Sequence, residues 1–114
     1  MIGEKRAREL FSKARYKMQS LASIPSTAPA NQRVQLKAYC MIWELKQTYR
    51  GVSSSSYMTK KAHEEALERV RALEDSITEG AHRTEALEAV GEAKEYLSIL
   101  ADNLIRDNKK TRVY

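Results

Sequence analysis

Apolar side chains recur at helical spacing in four separate stretches of the chain. In the first stretch they fall within one sector about 100° wide when successive residues are placed about 100° apart around a helix axis. That sector holds Ala7, Leu10, Phe11, Ala14, Met18 and Leu21. The pattern predicts four helices of about 20 residues, or about 30 Å, each. Their predicted bounds are 4–23, 30–50, 60–79 and 85–107.

The predicted helices are separated by short breaks rich in turn-forming residues. Residues 25–30 (PSTAPA) combine Pro and Ser. Pro29 suits the first turn of the helix that follows, and Asn31 is an alternative N-cap. Residues 52–56 (VSSSS) are the predicted flexible loop, because serine side chains bond their own backbone and compete with helix. The break at 80–84 is short, so helices three and four are predicted to be antiparallel neighbours. Residues 108–114 lack a pattern, and a frayed tail is expected there.

Helices of similar length with short connections predict an all-α fold. The 114 residues fit a single helical domain, 1–114, and the favoured architecture is an antiparallel four-helix bundle. The alternative is two α-hairpins joined by the Ser-rich loop, with the second hairpin completing its core in a homodimer. That homodimer would use a heptad-like seam on helices three and four. The seam comprises Ala66, Val70, Leu73, Ile77, Ala86, Val90, Ala93, Leu97, Leu100 and Leu104.

Helix two differs from the others because it carries two apolar faces. One face comprises Val34, Ala38, Met41, Ile42, Leu45 and Tyr49. The opposite face comprises Leu36, Tyr39 and Trp43, and Lys46 and Arg50 extend it. A helix that is apolar all round is usually buried, so helix two is predicted to be a central helix contacted by the other three. Alternatively, the second face is an exposed stripe that binds a partner, since Trp, Tyr and Arg dominate binding hot spots.

The net charge of +5 conceals a strong division along the chain. Residues 1–61 hold 12 Lys and Arg but three acids, whereas residues 62–114 hold eight Lys and Arg and 12 acids. The two halves are therefore expected either to attract each other or to leave a positive patch for nucleic acid or an acidic protein. The basic candidates on helix one are Lys5, Arg6, Arg8, Lys13, Arg15 and Lys17.

Residue types that carry chemistry are sparse. Cys40 is the single cysteine, and His63 and His82 are the only histidines, so no catalytic, metal or cofactor site is expected. Four glutamates share one face of helix four, where they are expected to be solvated or to face basic groups of the first half. These glutamates are Glu85, Glu88, Glu92 and Glu95. The chain contains no run of 18 apolar residues and no secretory pattern, so a cytoplasmic protein without a membrane partner is expected.

These observations favour a protein that is not an enzyme. The expected function is a non-catalytic interaction module, such as an adaptor, inhibitor or regulatory subunit. Its protein partner would bind the stripe formed by Leu36, Tyr39, Trp43, Lys46 and Arg50. The alternative is a nucleic-acid-binding protein that uses the basic residues of helix one for phosphate contacts.

Overall fold

Four α-helices make up the computed structural model of the protein, which describes residues 3–50 and 60–111, with side chains described for 3–48 and 60–102. The described residues contain no strand, and the all-α bundle predicted from the sequence is confirmed. The helices are α1 (Glu4–Leu21), α2 (Ala30–Arg50), α3 (Lys60–Asp75) and α4 (Arg83–Thr111).

Helix α3 ends four residues before the predicted boundary at residue 79. At this end the hydroxyl of Ser76 donates a hydrogen bond of 2.7 Å to the carbonyl of Leu73, which also accepts the Ser76 amide at 3.1 Å. Such local bonds from a serine side chain to the backbone compete with continuation of the helix. Gly80 lies in the connection beyond the helix, with a φ of 124°.

The other boundaries differ less from the predicted ones. Helix α2 has the predicted bounds, and α1 ends at Leu21, two residues early. Helix α4 begins two residues early, at Arg83, and continues to Thr111, so the backbone of residues 108–111, predicted to fray, is helical. The predicted loop 52–56 lies outside the described residues.

Helices α1 and α4 are antiparallel. Arg6, near the start of α1, bonds to Glu95, whereas Lys13, further along α1, bonds to Glu88, which lies earlier in α4. A rising position on one helix therefore pairs with a falling position on the other.

Helices α2 and α4 run in the same direction. Asn31, at the start of α2, bonds to Ala81 just before α4, and Tyr39 bonds to Glu92 further along both helices. Asn31 also bonds to Thr78, just beyond the end of α3, so α3 runs opposite to α2. The helices thus alternate in direction, and the two hairpins pack against each other within one chain.

The buried side chain of Asn31 fastens the α3–α4 connection to the start of α2. Its amide nitrogen donates to the carbonyls of Thr78 at 2.7 Å and Ala81 at 3.0 Å, and its oxygen accepts from the Thr78 amide at 2.9 Å. The role predicted for Asn31, capping α2, is therefore wrong. Helix α2 begins instead at Ala30, and the carbonyl of Pro29 accepts the amide of Arg33.

Helices α2 and α4 form the central pair of the bundle. Each contacts the other three helices, whereas α1 and α3 lie on opposite sides and do not contact each other within the described residues. Both central helices carry fully buried alanines, and such short side chains allow helix axes to approach closely. These alanines are Ala38 on α2 and Ala86, Ala89 and Ala93 on α4. The interpretation of helix two as the central helix is confirmed.

The heptad-like seam of α3 and α4 lies inside this core. Val70, Val90 and Leu97 are almost completely buried, and Leu73 and Ile77 are half-buried against the same core. The described part of the seam is thus covered by the chain's own helices. A homodimer through this seam stays a prediction, and the Leu104 side chain lies outside the described residues.

Candidate interaction surfaces

Tyr39 is a core residue. It is 2% exposed, and its hydroxyl donates a hydrogen bond of 2.9 Å to Oε1 of Glu92, which is also buried. Burial, together with the negative charge of Glu92, raises the pKa of Tyr39 above its usual value. Tyr39 therefore does not belong to an exposed stripe on α2, contrary to the prediction from the sequence.

Lys13 completes a polar cluster with Tyr39, Glu92 and Glu88. Its Nζ lies 3.1 Å from Oε1 of Glu92 and also bonds to Glu88 at the surface. The hydrogen bond between Lys13 and Glu88 raises the pKa of the lysine and lowers that of the carboxyl. The buried carboxylate of Glu92 thus has both a cation and a hydroxyl donor, as buried charges require.

A second ion pair joins α1 to α4 near the start of α1. Nε and Nη2 of Arg6 donate to the two oxygens of Glu95 at 2.7 and 3.0 Å, and the Glu95 pKa is lowered as a result. Three of the four glutamates on the predicted carboxylate face, Glu88, Glu92 and Glu95, therefore bind basic residues of α1. The basic and acidic halves of the chain attract each other in the fold.

These contacts divide the six basic candidates for nucleic-acid binding. Arg6 and Lys13 face α4, Arg8 bonds to Glu4 at 2.6 Å, and Lys17 lies near enough to Glu88 to lower its pKa. The other two candidates, Lys5 and Arg15, are exposed. The six residues therefore do not form one continuous patch.

The predicted partner-binding stripe on α2 is divided as well. Nζ of Lys46 lies 4.1 Å from the ring centroid of Phe11, a cation–π contact that directs this lysine toward α1. Leu36 is half-buried and Trp43 is 37% exposed. Leu36 and Trp43 therefore remain at the surface, Tyr39 lies in the core against Glu92 of α4, and Lys46 faces α1. The Arg50 side chain lies outside the described residues.

Helices α2 and α3 enclose an open groove of about 440 Å³ beside Leu36. Its lining residues are Leu36, Lys37, Cys40, Met41, Glu44, Arg69, Ala72 and Leu73. Arg69 on α3 bonds to Glu44 on α2 at 3.0 Å, and this ion pair also borders a smaller hollow that continues toward Thr48. We refer to the larger space as the α2–α3 groove.

Cys40 is half-buried in the α2–α3 groove. Burial and the neighbouring Glu44 carboxylate raise the pKa of its thiol. This environment favours the protonated thiol, so Cys40 is a packing residue of the groove wall. Sequence reasoning missed the groove, although Leu36, Cys40 and Trp43 follow i, i+4, i+7 spacing on the outward side of α2.

Comparison with protein-family models, with curated proteins and with solved structures gives no match. Within the described residues, no three His, Cys, Asp or Glu side chains converge to hold a metal ion. None of the described helices combines the length and apolar character needed to span a bilayer.

Proposed function

We propose that the protein is a non-catalytic interaction module, an adaptor, inhibitor or regulatory subunit that binds another protein through the outward side of α2. The observation that carries this proposal is the partial exposure of Leu36, Cys40 and Trp43 along one side of an otherwise enclosed helix. The chain's own helices cover the remaining sides of α2. A partner would cover this side, where the three residues lie among exposed polar side chains such as Lys37 and Glu44.

Trp43 is the central residue of the proposed contact. Tryptophan is enriched at binding hot spots because it buries a large apolar area and has few rotatable bonds. Trp43 does not line the α2–α3 groove, but it lies one helical turn from Cys40, which does. A partner segment that enters the groove beside Cys40 is therefore within reach of the indole ring. Leu36 supports the contact from the other end of the groove.

The test is affinity capture with the tagged full chain from nuclease-treated lysate of its native host. We expect a protein partner that is retained by the wild type and lost by the double variant Leu36→Glu/Trp43→Ala. Leu87→Ala is the control, because Leu87 is 43% exposed on α4, away from this surface. Equal retention by all three proteins, or capture of no protein, would overturn the proposal.

A second candidate function is binding of single-stranded nucleic acid through α1. It is supported by a shallow hollow that brings Arg15 together with Phe11 and Tyr16, and Tyr16 is 69% exposed. An exposed aromatic ring beside an arginine can stack on a base while the guanidinium contacts phosphate. Binding of a labelled oligonucleotide that weakens steeply with salt, and is lost in Arg15→Glu/Tyr16→Ala, is the expected result. Failure to bind at low salt would remove this candidate.

A further inference from the structure

The α2–α3 groove has the length and the apolar wall needed by a helix. Along α2, the lining of the groove runs from Leu36 to Glu44, which corresponds to about 12 Å of helix. That distance equals about two helical turns. Leu36 and Cys40 on α2 and Leu73 on α3, all half-buried, supply apolar contacts of the kind that an amphipathic helix buries in a groove.

The charges around the groove favour one kind of helix. The charged lining residues are Lys37, Glu44 and Arg69, and Arg69 neutralises Glu44 in the 3.0 Å ion pair. Lys37 therefore leaves a positive excess at the end of the groove near Leu36. Arg33, one turn earlier on α2, adds to it, because its guanidinium bonds only the neutral carbonyl of Ala28 among the described residues.

The opposite end of the groove has the opposite character. The smaller hollow beyond the Glu44–Arg69 ion pair is lined by Glu65 in addition to that pair. The excess of positive charge is thus confined to the Leu36 end of the groove. In a helix that lies along the groove, only the residues at one end would be close to this charge.

From this arrangement we propose that the partner segment is an amphipathic helix that places about two turns of its apolar side in the α2–α3 groove and its acidic residues over Lys37 and Arg33. This inference rests on the proposed function, since it names the class of partner for the same surface. Carboxylates over Lys37 and Arg33 would orient the helix and speed its association, whereas the apolar contacts would supply most of the affinity.

The experiment uses a displayed library of helices with leucine at i, i+3, i+4 and i+7 and with flanking positions that vary among Glu, Lys and Gln. The library is selected on the full chain, and the fluorescence of Trp43, the single tryptophan, then measures the affinity of each selected peptide. We expect Glu to be enriched at one end of the selected helices. We also expect Lys37→Glu to raise their Kd about tenfold.

Lys5→Glu is the matched control, because it makes the same charge reversal on the exposed side of α1. Its Kd should equal that of the wild type. Enrichment of Lys, no charge preference, no enriched helix, or equal selection by Leu36→Glu would overturn the inference. A dimer that sediments as such and dissociates in Leu36→Glu would overturn it too, because a second copy would then occupy the groove.

The capture experiment separates the two proposals. A protein partner that is lost with Leu36→Glu/Trp43→Ala, combined with a library that selects no acidic helix, leaves the proposed function standing and rejects the acidic helix. If the double variant captures as much partner as the wild type and the library selects no acidic helix, both proposals are rejected.

Discussion

The hydroxyl of Tyr39 on α2 donates a hydrogen bond to the carboxylate of Glu92 on α4, at 2.9 Å in the interior of the bundle. This bond links the two central helices and uses a side chain that the sequence pattern placed on a binding surface. Because Glu92 is buried, its carboxylate depends on Tyr39 and Lys13 for compensation of its lost hydration.

Removing this hydroxyl is predicted to destabilise the protein. Tyr39→Phe should lower the free energy of unfolding by about 1–3 kcal/mol, the range for a hydrogen bond to a buried charged group. Urea unfolding followed by circular dichroism measures the change. Tyr16→Phe is the control, since Tyr16 is 69% exposed, and should stay within about 0.5 kcal/mol of the wild type. Equal effects of the two substitutions would contradict the buried bond.

The raised pKa of Tyr39 predicts a loss of stability in alkali. A group whose pKa is higher in the folded than in the unfolded state stabilises the fold fully below the unfolded value, here near pH 10, and less as the pH rises through the folded value. The free energy of unfolding should therefore fall above pH 10, and more steeply in the wild type than in Tyr39→Phe. Some alkaline decline should persist in the variant, because burial also raises the pKa of Tyr96. Identical slopes would contradict the shift at Tyr39.

The lowered pKa values of Glu88 and Glu95 predict a loss of stability in acid. Carboxyls whose pKa is depressed by Lys13 and Arg6 stabilise the fold above the unfolded pKa near 4.5, and this contribution disappears as the pH falls through the folded values. Urea midpoints between pH 6 and pH 3, measured for the wild type and for Glu95→Gln, should fall less in the variant.

Glu85→Gln serves as the control for this acid prediction. Glu85 is exposed on the same helix, and no ion pair of Glu85 occurs among the described side chains. Its urea midpoints should follow those of the wild type. A Glu95→Gln profile that coincides with the Glu85→Gln profile would show that the Arg6–Glu95 pair does not contribute.

Gly91 offers a stabilising substitution. It lies inside α4 on the exposed side, and a Cβ added there meets no atom within 4 Å. Gly91→Ala should raise the free energy of unfolding by about 0.5–1 kcal/mol, because alanine loses less backbone entropy than glycine on entering a helix. Gly3→Ala should have the opposite effect, since Gly3 has a φ of 74° and its added Cβ would lie 3.1 Å from Ile99. Thermal unfolding measures whether each substitution raises or lowers stability. A lower melting temperature for Gly91→Ala would contradict the conclusion that a Cβ fits at this position without a clash.

The sequence predicted the helices and the central place of α2, but it could not show which side chains of α2 are buried and which are exposed. Tyr39 and Trp43 are four positions apart and differ by only about 40° around the helix axis. That small angle separates a side chain that is 2% exposed from one that is 37% exposed. Periodicity reports the angle of a residue, whereas its burial depends on where the neighbouring helix lies.

Other features were hidden because they depend on contacts distant in sequence. Asn31 bonds to Thr78 and Ala81, 47 and 50 positions away, and no local pattern indicates such a contact. The α2–α3 groove likewise requires the position of Leu73 on another helix. The attraction between the basic and acidic halves was foreseen from composition, but its particular pairs, such as Arg6 with Glu95, were not.

Trp43 is assigned to a binding surface, whereas Tyr39 belongs to the core. This assignment is tested by the amount of protein partner captured by Trp43→Ala relative to Leu87→Ala, with the free energy of unfolding determined for both. We expect at least about a tenfold loss of capture for Trp43→Ala alone, while its unfolding free energy falls by less than about 2 kcal/mol. Undiminished capture by a folded Trp43→Ala protein would contradict the assignment of Trp43.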